Sequence, residues 1–380
     1  MKEFFWSVFM LGLLASSCAT PAAAPKDEVQ GCDLDGAHCR PFRTGMIKFE
    51  PDLDAQKPLG TIDEAGWTLA NQTIIGSFKD RWVTGFDLKR KQHIWWLETK
   101  ADLTAPVEVF GSFGIVALRD GRLLKIDVTT GKVIWENHLT QFVATKVVLS
   151  GTSLLAYTVD QKLYSIDFQA GQTLWAYDAA SSPNLLIRTG AAPQVVGNEV
   201  FIGSVEGDIR SIHIASGKEN WRLRPGKDDF RFKDIVGEIG VGTNQIYATR
   251  YDGLIFGIDI QAKPNGTLWE VTAPSITTSA YRDGTMYIGS MNGELLAIQA
   301  SNGRQLWKAK LGQSIKSLTV GEKAIFVGGS QGRISAVALS GGQLLWHDDL
   351  GGNVTKQPFV LDDEIYFSTG LKVIYSYKIL

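Results

Sequence analysis

Apolar and polar residues alternate along most of this chain in short runs, each closed by a Gly, Asp or Asn. In "IVALRDGRLLKIDVTTGKVIW" (115–135) the pattern predicts a strand, a turn at Asp120-Gly121, and a second strand of period two. A turn at Gly131 and a third strand entering Trp135 complete the segment. "MYIGSMNGELLAIQASNGRQLW" (286–307) and "IFVGGSQGRISAVALSGGQLLW" (325–346) repeat it, and an apolar run such as "VEVFG" (107–111) precedes each copy. No stretch has the 3.6-residue period of an amphipathic helix.

The repeat is marked by Trp95, Trp135, Trp175, Trp221, Trp269, Trp307 and Trp346, spaced by 40, 40, 46, 48, 38 and 39 residues. Four short strands per period predict an all-β propeller of four-stranded antiparallel blades. Gly131, Gly171, Gly217, Gly303 and Gly342 each sit four residues before a Trp, where a tight hairpin needs a positive φ. Asp87, Asp127 and Asp167 sit eight before it and are expected to accept turn N–H groups, a structural task and not a catalytic one. Lys91 replaces the Gly in the first copy, and "AKPNGTLW" carries two extra residues in the fifth. Three strand-like runs follow Trp346, and "TGMIKFE" (44–50) has no blade of its own. Placed beside the last strand, it completes an eighth blade and covers an exposed sheet edge.

The first residues are of another kind. The apolar run Phe4 to Leu14 is too short for a membrane-spanning helix, which takes about 20 residues, but suits a secretory leader. Ala15, Ser16 and Ser17 before Cys18 resemble a bacterial lipobox, which implies acylation of Cys18 and a leader at 1–17. An ordinary leader with an incidental Cys is the alternative. A Pro/Ala-rich tether follows at 18–42, then the propeller at 43–380. Cys32 and Cys39 could close a disulfide loop in an oxidising compartment. Metal binding by Cys32, His38 and Cys39 would supply three ligands where structural zinc takes four.

Composition narrows the chemistry. The net charge of −2 argues against nucleic acid. The five His (38, 93, 138, 213, 347) show no metal-ligand spacing, and neither a G-x-S-x-G elbow nor a P-loop occurs.

The blade motif, here "KIDVTTGKVIW", is similar to the repeat of pyrroloquinoline-quinone (PQQ) type propellers, and the chain lacks the "WD" and "GH" dipeptides of WD40 blades. Quinoprotein enzymes of that type place an adjacent Cys pair over the quinone and hold calcium with inserted acids. The body of this chain has no Cys and no such acidic cluster, so neither cofactor nor enzymatic activity is expected. With its lipobox, tether and eight repeats, the chain resembles the BamB family of outer-membrane assembly lipoproteins. That resemblance implies a lipid-anchored scaffold facing the periplasm, bound to the POTRA domains of a BamA-like protein and to other subunits of the machinery. Unfolded outer-membrane proteins are a further implied partner. A quinoprotein-like enzyme or another ligand-binding propeller is the alternative.

Spacing points to the partner surface. The two long intervals place extra residues after Trp175 and Trp221, in "AYDAASSPNLLIRTGAAP" (176–193) and "RLRPGKDDFRFKDIVGE" (222–238). Both run from an outer strand to the next inner one, so they emerge side by side on one face, where function concentrates. Leu185, Ile187 and Arg188 match an L-x-L-R element that the resemblance implies contacts BamA, with Ile for the second Leu. Asp234 matches the first acid of its D-x-D element, and Val236 replaces the second.

Overall fold

Each run of alternating residues is a strand, three to eight residues long, in the computed structural model of the chain. The structure describes residues 43–48, 66–79, 81–179, 190–227, 232–262, 266–354, 356–370 and 373–379. The strands form eight four-stranded antiparallel sheets. Blades 1 to 7 span 67–98, 108–138, 148–178, 194–223, 235–272, 276–310 and 315–349, with strands A to D in chain order from the inside outward. Blade 8 takes strands A to C from Phe359–Leu361, Glu364–Ser368 and Val373–Lys378, and its outer strand from Arg43–Lys48. The N-terminal strand closes the ring as its apolar pattern predicts, with Met46 opposite Tyr375 and Lys48 opposite Val373. Arg43 fastens it through Asp348 at 2.7 Å and the Tyr377 hydroxyl at 3.2 Å.

The core lies between blades. Each hydrophobic cluster joins two neighbours, as where Ile115 and Leu123 of blade 2 meet Leu154 and Ile166 of blade 3. Trp67, Ile74 and Phe86 of blade 1 pack with Tyr366 and Ile374 of blade 8, so the ring is continuous across its seam. A single blade would expose one apolar face, and the stack removes it from water.

The repeated Trp and Gly belong to one device. The indole of Trp95 donates to Val128 O at 2.8 Å in blade 2, and Trp135 donates to Phe168 O at 3.0 Å in blade 3. Trp175, Trp269 and Trp307 do the same with Ile214, Ala300 and Leu339. Each ring lies against the turn Gly of the next blade. A Cβ on Gly171 would stand 2.6 Å from Trp135 Cδ2. These glycines do take positive φ, from +68° to +74°. The contact with the ring is a second requirement that excludes any side chain.

Both departures from the repeat follow. Lys91 accepts φ +54° at the Gly position because blade 8, behind it, has no Trp on its outer strand "RTGMIK". Trp221 should donate into the enlarged turn of blade 5, and its indole N–H has no partner among the described residues. The Asp of the C–D turn behaves as expected: Asp127 Oδ1 accepts Thr129 N at 3.0 Å and Thr130 N at 2.9 Å.

One regular feature is invisible in the alternation. In blades 1 to 7 the residue before the Trp is the extra residue of a β-bulge: Trp135 pairs with Lys125 and Val133 with Ile126, leaving Ile134 unpaired. Leu174, Asn220, Leu268, Leu306 and Leu345 occupy the same place. The bulge bends the outer strand and interrupts its free edge.

Candidate functional site

In an up-and-down blade the B–C turns share one face with the junctions from outer strand to next inner strand. Hydrogen bonds tie the two sets together, as Leu139 N to Gly121 O at 2.9 Å and Ala179 N to Gln161 O at 2.9 Å. The two long junctions, 179–193 and 224–234, therefore leave the same face from neighbouring blade boundaries, as their spacing predicts. Leu185, Ile187 and Arg188 lie outside the described residues, as do Cys18, Cys32 and Cys39.

Asp234 is described, and it is only 3 % exposed. It lines a small cavity with residues from the B–C turns of blades 3 and 4, and its backbone carbonyl accepts Tyr251 N at 2.9 Å. Its carboxylate is part of the floor of this face and does not project from it. Val236 is buried with Ile255, Ile276 and Ile288. At this position the chain needs an apolar side chain for the blade 5–6 core, which accounts for the missing second acid.

The structure brings forward residues that the junction lengths did not reveal. Two positions before the positive-φ residue of the B–C turn stand Val159, Val205, Tyr251 and Met291 in blades 3 to 6. Met291 is 43 % exposed, Val159 and Tyr251 are half-buried, and Val205 lies lower. Blades 1 and 2 carry Lys79 and Arg119 there, so the turns switch from basic to apolar where the long junctions begin. Comparing the turns position by position would have found this arc.

Beneath the arc, charge is internally compensated. Each acid that follows an arc residue has a cation: Asp160 with Lys162 at 3.7 Å, Glu206 with Arg224 at 2.6 Å, and Asp252 with Arg250. Arg250, 1 % exposed, also donates to Pro225 O at 2.7 Å and so fixes the start of the second long junction. Arg210, buried, joins Asp208 at 3.0 Å to the Tyr177 hydroxyl of blade 3 at 3.1 Å. Gln161 Oε1 accepts Val205 N at 3.2 Å, linking the turns of blades 3 and 4. An unpaired buried charge would cost several kcal/mol, so these pairs hold each other in one arrangement. Among the described residues, these turns form a charge-paired and partly apolar surface.

The inner strands carry a second group of ionisable residues. Burial pushes the carboxyls of Glu108 and Glu238 upward, and the charge of Lys146 opposes the shift in both. Among the described residues no group of three or more His, Cys, Asp or Glu is placed to hold a metal ion.

The class is thus a closed eight-bladed propeller of PQQ-type repeats whose extended junctions and apolar turn residues gather on one face. The family model described as outer membrane protein assembly factor BamB matches residues 79–309 and 291–379, and the chain belongs to that family. It is 25 % identical to the outer membrane protein assembly factor BamB of Bordetella pertussis over 307 residues, covering 80 % of this chain and 77 % of that one. The crystal structure of BamB from Moraxella catarrhalis superposes with a TM-score of 0.75 at 21 % identity, over 89 % of this chain and 99 % of the other, and shows the same fold. A lanthanide-dependent methanol dehydrogenase of Methylacidiphilum fumariolicum is 24 % identical over 97 residues, 22 % of this chain and 16 % of the enzyme. In sequence, the likeness to this enzyme is confined to a short stretch of shared repeat, and the quinohemoprotein alcohol dehydrogenase of Comamonas testosteroni, which superposes with a TM-score of 0.65 at 12 % identity over 83 % of this chain and 74 % of the other, shares the fold alone.

Proposed function

We propose that this chain is an accessory factor of outer-membrane β-barrel assembly that binds the POTRA domains of a BamA-like protein. Acylated Cys18 would anchor it to the outer membrane, the tether 18–42 would let the propeller 43–380 stand in the periplasm, and the face of the long junctions would meet the partner. Leu185, Ile187 and Arg188 would supply the contact from the first junction, with Asp234 supporting the second. The observation that carries this reading is the coincidence, in a chain of this family, of two extended junctions with an apolar arc on one charge-compensated face. The outer strand edges are less suited to unfolded barrel strands, because a bulge or register shift interrupts all eight.

Capture of the periplasmic domains of a BamA-like protein by the mature chain tests the proposal. Arg188→Ala should weaken capture by about thirtyfold, the loss of a hot-spot guanidinium worth about 2 kcal/mol. Arg304→Ala, in a C–D turn of the opposite face, should leave it unchanged. Equal capture by the two variants would place the partner surface elsewhere.

A further inference from the structure

The C–D turn of blade 1 departs from the repeat in charge as well as in shape. It reads Lys89-Arg90-Lys91, whereas no other C–D turn holds more than one cation, as with Lys132 in blade 2 or Lys218 in blade 4. All three side chains are exposed. The third stands where other blades need Gly, a place left open because blade 8 sends no Trp against it. Among the described residues only Arg90 of the three meets an acid, Asp87 at 3.9 Å, and its side chain stays 69 % exposed. The excess is local, since the whole chain carries a net charge of −2. Asp362 and Asp363 of blade 8 lie on the same face but in an A–B turn, nearer the axis, and Asp363 meets Lys378 at 3.8 Å.

The chain enters the propeller on this face, one blade away. The closing strand runs from Arg43, opposite Tyr377 at the C–D end of blade 8, to Lys48, opposite Val373 at the junction end. The segment before Arg43 therefore starts from the face of the basic turn, and the long junctions occupy the other face. Cys18 precedes Arg43 by 25 residues, at most about 90 Å of chain.

From this placement we propose that the edge formed by the Lys89-Arg90-Lys91 turn and the entry of the N-terminal strand docks on anionic lipid headgroups of the membrane that carries the anchor. The inference rests on the acylation of Cys18 in the reading above. An inserted acyl group keeps the lipid surface within reach of the tether, so a weak charge contact becomes an intramolecular one. Each Lys or Arg near an anionic surface favours the docked state about fivefold, and three together roughly a hundredfold. An acidic protein would offer the same charge, but the entry of the chain ties this face to lipid. Docking by this edge leaves the long junctions on the side away from the membrane, open to the partner.

The test is acetylation of lysines in the acylated mature chain reconstituted in vesicles, read at each residue by mass spectrometry. In phosphatidylcholine vesicles containing phosphatidylglycerol, Lys89 and Lys91 should react about tenfold more slowly than in phosphatidylcholine alone. Lys100, exposed on the junction face of the same blade, should react equally in both. Salt at about 0.5 M should erase the difference, because it shortens the reach of the attraction well below 10 Å. Arg90→Gln should cut the protection of Lys89 about fivefold and leave the urea unfolding midpoint unchanged. Labelling of Lys89 that does not depend on phosphatidylglycerol would overturn the inference, whether fast because the turn is bare or slow because protein covers it. A chain held in the vesicles through Cys18 with Lys89 bare loses the docking and keeps the anchor. A chain with no acyl group on Cys18 loses both.

Discussion

Replacing Gly131 by alanine should damage the ring far more than the same change at Gly111, although both glycines belong to blade 2 or its turns. Their backbones are alike, with φ of +71° and +62°. An alanine held in that left-handed region costs about 1–2 kcal/mol at either site. The difference lies in space. At Gly111 nothing is within 4 Å of an added Cβ. At Gly131 the Cβ would stand 2.5 Å from Cε3 and 2.7 Å from Cδ2 of Trp95. That ring is buried and tethered by its bond to Val128 O at 2.8 Å, so it cannot retreat without breaking the blade 1–2 interface. Overpacking of this kind costs about 1–3 kcal/mol, and loss of the indole bond about 1 kcal/mol more. The sum is roughly 3–6 kcal/mol at Gly131 against about 1–2 at Gly111. Urea unfolding followed by Trp fluorescence and near-ultraviolet dichroism would measure the pair. Equal losses would mean that the Gly serves only the hairpin φ and that the Trp–Gly contact carries no weight.

Three further outcomes are expected. Trp95→Phe should destabilise by about 1 kcal/mol more than Trp221→Phe in the same assay, since only Trp95 makes an indole bond among the described residues. Deleting 43–50 should uncover the edge of the strand Val373–Lys378 and cause aggregation on size exclusion, whereas deleting 19–40 should leave a monodisperse protein. The Thr130 hydroxyl, with the Thr130 and Thr129 amides, holds the Asp127 carboxyl below its usual range. A carboxylate depressed in the folded state contributes stability above its unfolded pKa, near 3.9. That contribution is lost as pH falls through the lower folded value. The gap in thermal midpoint between wild type and Asp127→Ala should therefore hold at about pH 6 and narrow below about pH 4.

Strand order, blade number and ring closure were legible in the residues because period-two alternation and a Trp marker recur with little drift. The Asx turns were legible for the same reason, since the carboxylates of Asp127 and Asp167 accept N–H groups of their own turns. The role of the glycines was half legible. A positive φ is a local property, but the ring that fills the missing Cβ space comes from the previous blade, as Trp95 does at Gly131. The bulges were hidden because Ile134 or Leu174 reads as an ordinary strand position until the partner strand is known. That the two long junctions start from one face was legible from their lengths and the strand order. The depth of Asp234 could not be read that way, because burial there depends on turns from other blades folding over it.

Whether this propeller belongs to a barrel-assembly complex is tested most directly by purifying the full-length chain from its native membranes in mild detergent. A BamA-like protein with periplasmic POTRA domains should co-purify in stoichiometric amount, and Arg188→Ala should reduce its yield while the propeller itself is recovered intact. Recovery of the wild-type chain from the outer-membrane fraction with no barrel-assembly protein attached would contradict that membership.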